Sequence, residues 1–527
     1  MCPSAAPFVQ SSAIIATQKN RSQRMRCFNL GLAVLSLLVT LQAMAQDVRN
    51  AASVGKWQIL TNTLQLNPVH AAVMHNGKVL MIDASDGHNP LAAVWDPATQ
   101  LATTFTASYV MFCNGLVVLP DGRPFVVGGT LHFGDPWTGL NGSAAYDLTA
   151  GTFTNQVSMV SGRWYPTATV LSDGTVMVFS GSDETGATNK TIEIFTADSG
   201  TGSWSTPVTA SWTPPLYPRL NLLPDGRIFY SGSSATAKFY DLSTKTWTDC
   251  CTTNFGSRRT QSASVLLPLR AGNGYKPKLM IMGGSSSEDT TAATKTTETI
   301  DLSAKTPKWV YGPEMSQPRI HLNSTILPSG NILVTGGEEW SEDTTTSSLN
   351  ADLYHPNADD PLFDTFTSAG ANSVPRAYHS NSILLPDATV ILTGSNPPNV
   401  PYETRVELYQ PAYLFNSDGT TATRPVIGGV PTGSIRYNAP FTVQTADASK
   451  ISKVVVIRPG SPTHAFDMEQ RLVGLPFKIN QNGSLTVTSP PNGRVAPPGY
   501  YMLFILNKTG VPSVSQFVQF CPVTGCL

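Results

Sequence analysis

Charge is what this sequence has least of. Charged residues fill 13% of its 527 positions and the net charge is -1, whereas an ordinary soluble domain is roughly a quarter charged. Without a basic face to neutralise phosphates, nucleic acid is excluded as a partner class, and no acidic or basic tail offers a docking surface. Long apolar runs are also missing: the longest, over 28–41, falls short of the roughly 20 residues that span a bilayer. The mature chain is therefore expected to have no transmembrane segment and to be a monomer. Histidine is scarce at 8 residues and cysteine at 7, so any grouping of the two is informative.

The short apolar run follows Arg21, Arg24 and Arg26 and precedes Ala43-Met44-Ala45, the layout of a cleavable secretory signal. Residues 1–45 are expected to be removed on export, to the periplasm, the cell surface or the medium. The polar preface before Met25 makes Met25 the expected start. Cleavage removes Cys2 and Cys27 and leaves Cys113, Cys250, Cys251, Cys521 and Cys526, an odd number in an oxidising compartment. Cys521 and Cys526 can close a small loop, Cys250 and Cys251 can bridge or stay reduced, and Cys113 stands alone.

Glycine (42) and proline (40) are abundant, with many Thr, Ser and Val residues. These are the residues of short strands joined by tight turns, so the fold class expected is all-β. A repeat organises them. Its core is an apolar residue, a turn with Asp-Gly or a relative, a β-rich run, and often a Gly-Gly or Gly-Ser ending. Copies fall at 74–84, 119–129, 171–182, 223–233, 267–284 (with a longer turn), 327–337 and 385–395. Gly77, Gly122, Gly174, Gly226, Gly274, Gly330 and then Ala388 stand 45, 52, 52, 48, 56 and 58 residues apart. That spacing predicts a seven-bladed kelch-type β-propeller over 46–415, each blade a four-stranded sheet, with each Asp-Gly hairpin forming two adjacent strands. After 405–411 the repeat stops. Residues 424–527 alternate short strands and turns, which predicts an immunoglobulin-like β-sandwich.

The innermost strands of a propeller surround one channel, so residues of equal phase form a ring. Eight positions before the turn Asp or its substitute stand Pro68, Cys113, Tyr165, Tyr217, His321 and His379; the long-turn copy is out of register. Two of so few histidines in these slots, beside a lone cysteine and two tyrosines, exceed chance. Tyr378 adjoins His379 and can lean toward the same mouth. Phenol, imidazole and thiol without a matching carboxylate set argue against calcium or magnesium and for a nitrogen-rich transition metal. Copper is a strong competitor for such a site, and zinc shares the same ligand types.

Four segments then look familiar in order and spacing. Phe112-Cys113-Asn114-Gly115, Arg163-Trp164-Tyr165-Pro166, Arg376-Ala377-Tyr378-His379-Ser380 and Thr463-His464 resemble the active-site segments of the copper radical oxidases, the galactose oxidase and glyoxal oxidase family. The resemblance runs from Gly55-Lys56-Trp57 through the sandwich. It implies that Tyr165, Tyr378, His379 and His464 bind one copper ion and that a thioether joins the Tyr165 ring to Cys113. The resulting radical cofactor would take one of the two substrate electrons and copper the other. Tyr378 would act as general base, with O2 reduced to hydrogen peroxide. Tyr217 and His321 share the ring phase without being ligands in the family pattern and are assigned to the substrate pocket. Galactose oxidase places a Trp over the cross-linked tyrosine where this chain has Asp183. That departure, the Arg-Trp-Tyr-Pro form and the lack of an added carbohydrate-binding domain resemble the glyoxal oxidase branch. Small aldehydes such as glyoxal, methylglyoxal or glycolaldehyde are the expected substrates and primary alcohols, galactose included, the alternative. A propeller that binds glycans or proteins without catalysis is the reading of another class, and the complete constellation speaks against it.

Overall fold

The computed structural model describes residues 50–83, 90–287, 290–357, 364–396 and 401–521; the expected export signal and Cys526 lie outside them. Every copy of the repeat turn joins two antiparallel strands. They are His70–Val73 with Val79–Ile82, Gly115–Val118 with Pro124–Val127, Thr167–Val170 with Val176–Phe179 and Leu220–Leu222 with Ile228–Tyr230. Ala263–Leu266 with Lys278–Met282, Asn323–Ile326 with Ile332–Thr335, and Ser380–Leu384 with Val390–Gly394 complete the series. Further strands extend each pair into seven antiparallel sheets of four or five strands. In the last sheet the outermost strand is Lys56–Ile59, which pairs with Glu407–Gln410. The two ends of the repeat region are thus hydrogen-bonded in one sheet.

A buried clamp recurs in four of these sheets. Arg163, Arg259, Arg319 and Arg376 each donate to a carbonyl at the end of their own sheet's second strand (Ser180, Gly283, Gly336 and Gly394). Each also pairs with an acid on the third strand: Glu193, Glu298, Asp352 and Glu407. The clamp explains the Gly-Gly ending of the repeat. Gly128 and Gly336 have left-handed backbones, and a Cβ on them would lie 2.2 Å from the Arg163 carbonyl oxygen and 2.6 Å from that of Arg376 in the next sheet. Only glycine lets the neighbouring arginine backbone pass there.

The C-terminal part contains a six-stranded sheet and a three-stranded one. One core lies between them, with Phe441, Val443, Leu485 and Val487 facing Val454, Val456, Tyr501 and Leu503. The other face of the large sheet, including Val455, Ile457, Met502 and Phe504, shares a core with Leu327, Leu384 and Ala388 of the repeat region. The long turn of the fifth repeat copy has a use here. Its Leu269–Arg270 pairs in parallel with Arg471–Leu475, so the insertion that put this copy out of register adds an edge strand to the C-terminal sheet. From that sheet a hairpin, Pro462–Thr463 and Phe466–Asp467, reaches in among the inner strands. Ser461 donates to the Leu116 carbonyl at 2.8 Å and Thr463 to that of Val69 at 3.0 Å. Val73 N–H donates in turn to the Gly460 carbonyl at 3.2 Å.

Candidate metal centre

The residues of equal phase share an unusual backbone. Cys113, Tyr165, Tyr217, His321 and His379 all have positive φ, between 43° and 66°, in the left-handed region that few non-glycine residues occupy. Gln261 joins them at 48° and so fills the slot of the long-turn copy. Hydrogen bonds run from one to the next: Tyr165 N–H to the Cys113 carbonyl (2.9 Å), Tyr217 to Tyr165 (2.9 Å), His321 to Gln261 (3.1 Å). The conformation turns each side chain inward at the entrance to the first strand of its sheet.

His464 arrives from the hairpin, also with positive φ. Its carbonyl accepts from Arg219, whose guanidinium also donates to the Tyr217 and Ser262 carbonyls. His464 Nε2 lies 2.8 Å from His379 Nε2, 3.1 Å from Tyr165 Oη and 3.7 Å from Cys113 Sγ. Tyr165 Oη and Tyr378 Oη are in short contact. The structure thus brings together Cys113, Tyr165, Tyr378, His379 and His464, as the four sequence segments imply.

The donor set fits a metal cation on its hydrogen bonding alone. His379 Nδ1 faces the Asn396 side-chain oxygen Oδ1, an acceptor, so its proton sits on Nδ1 and Nε2 carries a lone pair. Thr463 spends its hydroxyl proton on the Val69 carbonyl and accepts from His464 Nδ1 at 2.5 Å, which leaves His464 Nε2 bare as well. Burial lowers both imidazoles, His379 to about 3 and His464 well below its ordinary value, so both are neutral. Two lone pairs and two phenol oxygens converging in a buried space are a ligand set, with both tautomers fixed by Asn396 and Thr463. Burial pushes Cys113 and Tyr165 up; a metal's charge is what would favour the phenolate.

A cavity of about 420 Å³ opens beside Tyr165 and Tyr378, with Trp164, Pro215, Tyr217 and Arg258 in its wall. Tyr217 also donates to the Asn114 carbonyl at 2.7 Å, and its ring packs at a 45° tilt with its centroid 4.5 Å from that of Tyr165. His321 does not line this cavity: its ring lies 4.6 Å from that of Tyr378, and its Nδ1 is 2.6 Å from Glu338. The sequence reading missed Glu338, Asn396 and His70. His70 is buried, accepts from Asn114 N–H at 3.3 Å and faces the His464 ring; it lies two residues after the Pro68 slot, so phase alone passed over it. Asp183 caps its own turn, accepting from Thr185 and Ala187, while Trp164 sits 4.1 Å from the Tyr165 ring and stacks on Trp137 at 5.0 Å. An indole does adjoin the tyrosine, supplied by the preceding residue.

Comparison with known proteins agrees with this geometry. Residues 91–413 match the family described as glyoxal oxidase N-terminus and residues 424–520 the galactose oxidase-like early set domain. A galactose oxidase of Gibberella zeae is 28% identical over 88% of this chain and 70% of its own length. An aldehyde oxidase, GLOX, of Vitis pseudoreticulata is 27% identical over 89% of this chain and 97% of its own. Among solved structures, a fungal alcohol oxidase of the AA5 family in complex with copper superposes with a TM-score of 0.76 at 25% identity, covering 89% of this chain and all of that one. The chain belongs to the glyoxal oxidase and galactose oxidase family of copper radical oxidases, and it is a copper-dependent enzyme that passes electrons to O2 and yields hydrogen peroxide.

Proposed function

We propose that the enzyme oxidises small aldehydes of the glyoxal and methylglyoxal type, as their hydrates, to carboxylic acids. The observation that carries this is the convergence of Tyr165, Tyr378, His379 and His464, with the two tyrosines in the wall of one cavity. The four would hold one copper ion, which when bound supplies one-electron redox capacity and a positive charge beside the reacting oxygen. Tyr378 Oη would take the substrate hydroxyl proton; a free phenol has a pKa near 10, so this needs that charge. Tyr165, joined to Cys113 through a thioether and oxidised to a radical, would take hydrogen from the adjacent carbon. Sulfur on the ring delocalises the unpaired electron. Trp164 and Tyr217 flank that ring. His321, fixed by Glu338, supports Tyr378 from behind.

The aldehyde reading draws on the glyoxal oxidase family match, the Arg163-Trp164-Tyr165-Pro166 form and the aldehyde oxidase relatives. A peroxide-coupled panel tests it: turnover of glyoxal or methylglyoxal is expected, and a panel active on galactose but silent on these aldehydes would replace it with the alcohol reading. The cofactor has its own test. After maturation with copper in air, peptides of Cys113 and Tyr165 are expected joined with loss of two hydrogens; separate peptides would end the radical account. The seven sheets would close as a propeller over 46–415, supported by the strand shared between its ends, with 424–527 as the ligand-supplying sandwich. Export follows from the arginine-led apolar segment at 21–45, and a secreted protein beginning near Gln46 is the expected product.

A further inference from the structure

Away from the metal centre, the sheet that starts with Leu220–Leu222 ends in an edge strand, Thr246–Thr252, carrying Cys250 and Cys251 side by side. In a regular strand, neighbouring side chains point to opposite faces. Here the register slips: Cys251 lies opposite Ala237 but Asp249 lies opposite Lys238, so Cys250 is the extra residue of a bulge. A bulge breaks the alternation, and both cysteines pack against the same cluster of Leu223, Phe229, Phe239 and Trp309. Both are free and half-buried. The segment that follows carries Arg258 and Thr260 into the wall of the substrate cavity. The neighbouring Cys251 thiol and the charge of Arg227 lower the pKa of Cys250, while Cys251 is raised by Cys250 and by burial. Two thiols set side by side against one apolar cluster can act as an attacking and a resolving pair.

We propose that Cys250 and Cys251 form a peroxide-responsive dithiol that closes to a vicinal disulfide during turnover. The Cys250 thiolate attacks hydrogen peroxide, giving a sulfenic acid and hydroxide. The Cys251 thiol then displaces the sulfenic oxygen, its proton leaving with that oxygen as water, and forms the S–S bond; the proton released when Cys250 ionised neutralises the hydroxide. Two thiols lose two electrons and two protons, and one peroxide becomes two waters. The oxidant is the product of the enzyme's own reaction, so the inference rests on the oxidase activity and on none of the residues of the metal centre.

Full-length copper-loaded enzyme, with accessible thiols first reduced, would be divided between methylglyoxal in air and reagent hydrogen peroxide, then alkylated and digested with trypsin. The peptide 246–258 carries both cysteines. It is expected to lose two hydrogens in both arms, to be protected by catalase, and to regain two alkylation sites after dithiothreitol. Cys251→Ser is expected to leave a sulfenic acid at Cys250 that dimedone captures. Two alkylated cysteines after reagent peroxide, or sulfinic acid without a bridge, would overturn the proposal, as would a bridge that catalase does not prevent. Absence of peroxide in the methylglyoxal arm counts against the aldehyde reading alone, and the reagent arm then decides the dithiol.

Discussion

Thr463→Val isolates the hydrogen bond that sets the His464 tautomer. Valine keeps the shape of threonine but removes both the bond to the Val69 carbonyl and the acceptor for His464 Nδ1. Leaving a buried polar group unpaired costs about 1–3 kcal/mol. The imidazole can avoid that cost by moving its proton to Nε2, where it would point at His379 Nε2 only 2.8 Å away. That tautomer cannot bind a metal, so the same penalty reappears as lost copper affinity. At about 1.4 kcal/mol per tenfold, it amounts to roughly 5- to 150-fold, in line with the ~10–100-fold typical when the hydrogen-bond partner of a metal-binding histidine is removed. A competitive chelator titration against copper reads it directly. Thr463→Ser should restore affinity to within a few-fold, since the hydroxyl returns, and turnover at saturating copper should fall less than affinity does. A Thr463→Val protein that binds copper within twofold of the parent would refute the tautomer argument.

Arg219→Lys keeps a charge but loses the fork that holds three carbonyls, including that of His464; weaker copper binding is expected by the same titration, with kcat reduced in parallel. Arg319→Met strands Asp352 in the interior and should cost about 3–5 kcal/mol in denaturant unfolding, part of it recovered by adding Asp352→Asn. In the copper-free protein, His70, His379 and His464 have folded pKa values below their unfolded ones. The unfolded chain therefore binds their protons first. Their contribution to stability should be fully present above about pH 6.5 and be lost progressively as the pH falls below it, for His379 down to about pH 3. A thermal midpoint that rises on acidification would contradict this.

Much of the site was legible because its residues repeat. The turn residues fall at one phase of each copy, and the inward side chain precedes each turn by a fixed interval, so counting alone aligned Cys113, Tyr165, Tyr217, His321 and His379. Gln261 escaped because the fifth turn is longer, and the reason, an edge strand lent to the C-terminal sheet, is a contact between segments some 200 residues apart in the chain. Glu338 and Asn396 escaped for a related reason: each acts through a histidine 17 residues away, and no local pattern marks a partner joined only by folding. Trp164 was in plain view within its motif, yet its place against the Tyr165 ring depends on the left-handed backbone at Tyr165.

Composition and pattern were enough to set the all-β class, the repeated hairpins and the residue types that meet at the centre, because turn chemistry and strand periodicity are local properties of the chain. The tertiary structure alone decided that His464 reaches the other ligands on a hairpin from a separate sheet, and that two imidazole lone pairs face one point. It also decided that a one-residue bulge turns Cys250 and Cys251 toward the same face. Each of these is a relation between backbone segments brought together by packing, and direction in space is set by that packing rather than by any residue's own preference.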